Sequence, residues 1–319
     1  MATLRNLPAL VRKQFASAQE NSDLTFYATQ VCILKCRGLL FQLRFSPALA
    51  SKPKSDKPKD PSSKPFDPFD SPPAGLYVAS LPPSHFLVLN KFPVIPDHFI
   101  LATKEFKQQT DLLEKDDLEA AYACLKAYRD NGEELFGFFN SGKHSGASQP
   151  HRHIQFLPVG SMRSGIEKDD KWDVLVHSLV KEPQPVLPFS YFSAQIPENA
   201  SPEQLHQTYV NLHGQACQLV ENTGAVSTNT TSQGSSISYN LGFTDRAMVL
   251  CPRSSEGLKI EDSSGKLIGP IALNGTVLGG TLLVKSEEEW NALRHDESKL
   301  SDVLQAIGIS PTSGQVGRL

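Results

Sequence analysis

A chain of 319 residues, 39% hydrophobic and 20% charged, reads as an ordinary globular protein with room for one large domain or two. Its net charge of −3 and pI near 6.3 leave no global basic field to attract nucleic acid, so any charge that binds phosphate must be local. The five cysteines (Cys32, Cys36, Cys124, Cys217, Cys251) show no zinc-ribbon spacing and fit reduced cytosolic thiols, and no apolar run approaches the roughly 20 residues of a membrane span.

The N-terminus carries Arg5, Arg12 and Lys13 with no acidic residue before Glu20. That pattern permits a mitochondrial presequence, but residues 7–18 read better as an opening amphipathic helix. Gly38 marks a turn before an alternating strand at 41–45. Residues 46–73 hold Lys52, Lys54, Lys57, Lys59 and Lys64 among many prolines, the composition of a disordered stretch or a flexible flap. Strands are predicted at 85–90, 98–103 and 135–140, with a helix at 116–128 whose stripe is Leu118, Tyr122, Leu125 and Tyr128. A loop of small residues leads into a further strand at 151–159.

The second half opens with a helix at 171–180. A clearer one follows, with Ser201 as N-cap, Pro202 first, Gln204 closing a capping box, and Leu205, Tyr209, Leu212, Ala216 and Leu219 as its stripe. Residues 225–236 are a polar loop. Strands are predicted at 237–243, 247–251, 267–273 and 280–285, and Ser286 with Glu289 forms a second capping box ahead of Trp290. Strands and helices mix without regular β-α-β alternation, so the fold class is α+β.

The densest chemistry lies in Ser145-Gly146-Ala147-Ser148-Gln149-Pro150-His151-Arg152-His153-Ile154-Gln155-Phe156. Side chains alternate along a strand, so His151, His153 and Gln155 share one face and Arg152, Ile154 and Phe156 the other. The small residues let a ligand approach the backbone and offer amide N–H groups to an anion. Neutral imidazole is a good nucleophile toward phosphorus near neutral pH, and a covalent step divides one hard substitution into two easier ones. A rival reading is zinc held by His151 and His153 with His144 as third ligand, although the segment has no carboxylate to act as base. Cys32 and Cys36, without a second pair, are a weak metal candidate.

His-x-His-x-Gln resembles the nucleotidyltransferase branch of the histidine-triad superfamily. The wider string is similar to the fungal diadenosine tetraphosphate phosphorylases, or ATP adenylyltransferases. The likeness extends through Asn90-Lys91-Phe92-Pro93-Val94-Ile95-Pro96-Asp97-His98-Phe99-Ile100-Leu101 and Phe139-Asn140-Ser141-Gly142. It resumes at Ser238-Tyr239-Asn240-Leu241 and Met248-Val249-Leu250-Cys251-Pro252-Arg253, covering most of the chain from about Phe41. Residues 25–40 do not match the polar strand and turn expected there, which puts the early strand order in doubt.

The resemblance implies a histidine-triad-like antiparallel sheet with flanking helices in residues 1–185, with the flap at 46–73. Residues 186–319 would be a C-terminal α+β domain completing the nucleotide site. It makes His153 the nucleophile, His151 its neighbour, and Gln155 the donor of an amide to a phosphate oxygen. Lys52, Asn90, Lys91, Asn140, Gly146, Ala147, Ser148 and Gln149 would contact substrate, and Asn274, Gly275, Thr276, Thr281 and Lys285 the far nucleotide, though a plain strand pair would explain the last group as well. The implied reaction is reversible phosphorolysis of diadenosine tetraphosphate to ATP and ADP through an adenylyl-histidine. A divalent cation such as magnesium would travel with the nucleotide, and AMP and phosphate would also be ligands. The hydrolases of the superfamily carry a third histidine where this chain has Gln155. Two alternatives stay open: a hydrolase of dinucleoside polyphosphates, and a non-catalytic adenine-nucleotide-binding protein. The expected setting is a cytoplasmic monomer, also nuclear, without nucleic-acid or membrane partners.

Overall fold

The computed structural model describes residues 4–50, 66–167, 170–224, 235–262 and 264–311. The first helix, α1 (Leu7–Glu20), buries Leu7, Val11, Phe15 and Ala18, the stripe that its 3.6-residue period dictates. Strands β1 (Gln30–Cys36) and β2 (Leu39–Phe45) form a hairpin across Arg37 and Gly38, both at positive φ, and a short helix α2 (Pro47–Ala50) follows. Then come β3 (Tyr77–Leu81), β4 (His85–Leu89), β5 (Phe99–Thr103), α3 (Lys115–Arg129), β6 (Leu135–Ser141), β7 (His153–Pro158), α4 (Val159–Met162) and α5 (Leu175–Leu179).

The rest of the chain supplies β8 (Phe192–Gln195), α6 (Pro202–Thr223), β9 (Tyr239–Phe243), β10 (Ala247–Pro252), β11 (Gly257–Glu261), β12 (Leu267–Ala272), a 3₁₀ turn at Gly275–Gly279, β13 (Thr281–Val284), α7 (Glu287–His295) and α8 (Glu297–Ile307). Eight strands pair in the order β3-β4-β5-β7-β6-β9-β10-β8, every neighbouring pair antiparallel. Strands from both sides of residue 185 thus share one sheet. A smaller sheet runs β1-β2-β13, with β13 parallel to β2, and β11 and β12 form a hairpin.

Alternation along the strands divides the core. Phe139, Ile154, Phe156, Leu241, Phe243, Met248 and Leu250 pack with α1, α3 and α6. Phe136, Phe138, Leu157, Val249 and Cys251 face the small sheet, the 3₁₀ turn and α5, α7 and α8. Burying each large apolar side chain contributes roughly 1.5–3 kcal/mol, so both layers are needed to hold the sheet in register.

Most predicted elements appear, including the Ser201 and Ser286 capping boxes. Two expectations are corrected. The strand expected at 151–159 begins at His153; His151 lies ahead of it, in an isolated bridge to Gln108. The helix expected at 171–180 is only Leu175–Leu179, because Val174 at its N-cap is extended backbone, with its N–H held by Asp173 Oδ1 at 2.8 Å. Cys32 and Cys36 stand four residues apart along β1, about 13 Å by strand rise, too far to share a metal. The centre of the expected flap, with Lys52, and most of the loop at 225–236 lie outside the described residues.

Candidate active site

Registered neighbours in antiparallel strands share a face. Ala102 on β5 is paired with His153, Ile100 with Gln155, Phe138 on β6 with Gln155, and Asn140 with Asn240 on β9. One face therefore carries His98, His153, Gln155, Asn140 and Asn240, as the alternation in the sequence requires.

The His153 ring is buried, with Nδ1 2.7 Å from the backbone oxygen of His151. A carbonyl only accepts, so Nδ1 carries the proton and Nε2 carries the lone pair. Burial pushes the imidazole down to about 4, so the ring is neutral at physiological pH. Gln109 clamps its backbone: Oε1 accepts from His153 N–H at 2.7 Å, and Nε2 donates to the carbonyls of His153 at 3.2 Å and Asn140 at 2.8 Å. Phe69 touches both histidines, its ring centre 5.1 Å from that of His153 in a tilted contact and 5.6 Å from that of His151 edge-on.

The two histidines differ. His151 has Nδ1 2.7 Å from Asp67 Oδ2, and Nε2 2.8 Å from the Thr103 carbonyl and 3.0 Å from its hydroxyl. Both nitrogens face acceptors, so the ring is turned to support and its carbonyl sets the tautomer of His153. Arg152 points the opposite way, as alternation predicts. It is buried against Asp117 and Glu114, both at 2.8 Å, and Asp117 also meets His85 at 2.8 Å. This ion cluster ties the histidine segment to the start of α3. Removing one partner of such a cluster typically costs about 3–5 kcal/mol, because a charge is left buried and unpaired.

Gln155 Oε1 is 3.1 Å from His98 Nε2, and His98 Nδ1 is 3.1 Å from Asn90 Nδ2. Asn90 Oδ1 accepts from Phe92 N–H at 2.8 Å, so both ends of this expected substrate contact are engaged by the chain itself. Lys91 is exposed, with its ammonium 5.8 Å from the Phe92 ring.

The small-residue loop is held from beneath. Asn240 Nδ2 donates to the Ser145 carbonyl and to Asn140 Oδ1, both at 2.9 Å, and Asn140 Oδ1 also accepts from Gly275 N–H at 2.8 Å. The Arg253 guanidinium holds Asn240 Oδ1 and the Leu273 carbonyl. Gly146 has φ +77, and a Cβ there would lie 2.8 Å from that of Asn274; a Cβ on Gly275 would lie 2.7 Å from Asn140 Oδ1. The fold thus brings the loop, Asn140, Asn274 and Gly275 together. The amides of Gly146, Ser148 and Gln149 bond no other described residue and are available to an anion, whereas Ala147 N–H donates to Ser145 Oγ at 3.3 Å. Thr276 sits on Asn274 Oδ1 and donates its hydroxyl to the Thr281 carbonyl at 2.9 Å. Lys285 is exposed just past β13, beside the end of β2.

Sequence reasoning gave no role to Asp67, Phe69, His98, Gln109, Asn240 or Arg253. A histidine in an apolar strand was the only local signal, at His98. Among the described residues, the group of ligating side chains close enough to share a metal is Glu134, Asp173 and His177. Glu134 precedes β6 at the end remote from Asn140, about 20 Å along the strand. No helix of the described residues is long and apolar enough to cross a membrane.

The model of the Ap4A phosphorylase N-terminal domain matches residues 2–168, and that of the ATP adenylyltransferase C-terminal domain matches residues 185–310. The chain belongs to the Ap4A phosphorylase family. Diadenosine tetraphosphate phosphorylase 2 of Saccharomyces cerevisiae is 29% identical over 97% of this chain and 97% of its own length. The protein APA1 of that yeast is 26% identical, over 99% and 98%. The crystal structure of yeast Ap4A phosphorylase Apa2 in complex with AMP superposes with a TM-score of 0.75 at 27% identity, covering 97% of this chain and 98% of that one. The same phosphorylase in complex with Ap4A also gives 0.75, at 25% identity. This family member is a nucleotidyltransferase of mixed α+β fold.

Proposed function

We propose that the protein cleaves diadenosine tetraphosphate with inorganic phosphate, giving ATP and ADP through an adenylylated His153. The observation that carries this reading is the bond from His153 Nδ1 to the His151 carbonyl, which leaves a neutral ring with its lone pair on Nε2. Nε2 attacks the α-phosphorus; an N–P bond forms, the P–O bond to the remaining nucleotide breaks, and ATP leaves. A phosphate oxygen then attacks the same phosphorus, the N–P bond breaks, and ADP leaves with Nε2 restored. Both leaving groups depart without needing a proton, which suits a site whose third residue is the amide of Gln155.

The loop amides at Gly146, Ser148 and Gln149 support charge on the α-phosphate, with Gln155 donating from the side. Lys52, Lys91 and Lys285 would meet the outer phosphates, and the segment from Asn274 to Thr276 the far nucleotide. Magnesium would arrive with the polyphosphate, since Asp67, the described carboxylate beside these histidines, is engaged by His151. We take the working unit to be a cytoplasmic monomer.

The test is incubation with diadenosine tetraphosphate, with and without phosphate, followed by product analysis and mass spectrometry of the quenched enzyme. ATP and ADP formed only with phosphate, plus an AMP adduct on His153, is the expected result. AMP released at full rate without phosphate would make the protein a hydrolase. Binding with no adduct would make it a nucleotide-binding protein without catalysis.

A further inference from the structure

On the reading that His153 is adenylylated, we propose that Asn90 and His98 are positioning residues whose task is to fix which end of the Gln155 amide faces the phosphate. The argument starts from a group with no ambiguity, the backbone N–H of Phe92. It can only donate, and it points at the Asn90 side chain at 2.8 Å, so the atom facing it is Oδ1. The other end of Asn90 is then the NH₂ group, which lies 3.1 Å from His98 Nδ1. Nδ1 must accept.

A neutral imidazole that accepts at Nδ1 carries its proton on Nε2. The ring is neutral because burial pushes it down to about 4, with the nearby His153 acting in the same direction. His98 Nε2–H then donates across 3.1 Å to Gln155, and only the carbonyl end of that amide can receive it. The NH₂ end of Gln155 is left directed away from His98, on the strand face that also carries His153. Orientation therefore passes from one peptide N–H through two side chains to the amide beside the reacting phosphate.

The consequence is electrostatic. An amide left to turn would sample orientations that aim its oxygen at the site, and drawing its nitrogen round to the anionic phosphate would have to be met from binding energy. A donor fixed in advance needs no reorientation during the reaction. The same chain gives Asn90 a task although its side chain is occupied within the fold.

The test has a part that does not depend on turnover. Nitrogen-15 NMR of the histidine rings in the resting enzyme should show His98 as the Nε2–H tautomer; the Nδ1–H tautomer would overturn the proposal. The kinetic part is a double-mutant cycle. His98→Leu should slow formation of the His153 adduct about tenfold to a hundredfold, with KM changed less than about threefold. His98→Gln, which can accept from Asn90 and donate to Gln155, should recover most of that loss. In a Gln155→Ala background, His98→Leu should cost nothing more, because there is no amide left to orient. A full additive cost in that background would mean that His98 serves only the fold. If His98→Leu does not fold, Asn90→Ala, which keeps the ring, takes its place in the cycle with the same two outcomes. An unmodified His153 in the wild-type enzyme would sink the adenylylation reading while leaving the tautomer result to stand or fall alone.

Discussion

Two histidines of this protein, both largely out of solvent, end in different charge states. His153 meets a carbonyl at Nδ1, and burial pushes it down to about 4. Burial also works against the charge on His177, in the middle of the short helix α5. There the ring lies 3.4 Å from Asp173 and 3.0 Å from Glu134, and those two carboxylates outweigh desolvation and hold it near 9. A dipole orients an imidazole without charging it, whereas an anion makes it a cation. A nucleophile needs its lone pair, and the site keeps carboxylates off His153. Among the described residues, Asp67 is the carboxylate acting on His153, and it is bonded to His151. The His177 cluster, flanked by Arg246 on Glu134 and Arg163 on Asp173, is built to hold elements together.

The sharpest way to break that comparison is to delete each ring. His153→Ala is expected to abolish formation of ATP and ADP and the AMP adduct, with the melting temperature changed by only a few degrees. His177→Ala should do the reverse, keeping kcat within about threefold while lowering stability by about 1–3 kcal/mol in urea titration. If His177→Ala removed activity at unchanged stability, the division into a chemical and a structural histidine would be wrong.

A second, smaller effect concerns the residue beside the nucleophile. Gln155→His places a group that titrates near neutrality where the native amide cannot exchange a proton. Phosphorolysis should fall roughly tenfold, while phosphate-independent release of AMP rises above that of the wild type. The ratio of AMP to ADP with and without phosphate measures it. Loss of both activities would show that position 155 orients substrate and does not separate transfer from hydrolysis.

What the sequence revealed follows the range of the forces involved. The Ser201 capping box, the apolar stripe of α6 and the shared face of His153 and Gln155 depend on residues a few positions apart. They are legible as spacing. Asp67 reaches His151 across 84 residues and Asn240 reaches Asn140 across 100, and no periodicity encodes either contact. The shift of the β7 start from 151 to 153 has the same origin. His151 is drawn out of the ladder by long-range bonds to Asp67 and Thr103 that local propensity does not see. Helix α8 was legible and missed: Asp296 caps it by accepting from Ser298 N–H, and Leu300, Val303, Leu304 and Ile307 make its buried stripe.

The charge states also separate in pH. With His153 near 4, kcat/KM should stay level from about pH 8 down to about 5 and fall only toward 4. An acid limb centred near 6.5 would mean that His153 is not neutralised by burial and that the contrast with His177 is smaller than drawn here.

The last expectation reads the other histidine through stability. The folded value for His177, about 9, lies above the unfolded value near 6.5, so the folded state holds the proton more tightly. The stability it contributes is fully present below about pH 6.5 and is lost as pH rises through 9. Asp173 has the opposite sign. Held down to about 2, chiefly by its bond from His177, it contributes above about pH 4 and loses that contribution as pH falls toward 2. The cluster is therefore at full strength between about pH 4 and 6.5. Urea titration of the wild type at pH 6 and at pH 9.5 should show a loss of about 2–3 kcal/mol across the window, and His177→Gln, which cannot titrate, should remove most of that difference. Because the ring is largely buried, moderate salt should reduce the difference only slightly. An equal loss in wild type and variant would place the alkaline titration elsewhere in the fold and leave His177 uncharged like His153.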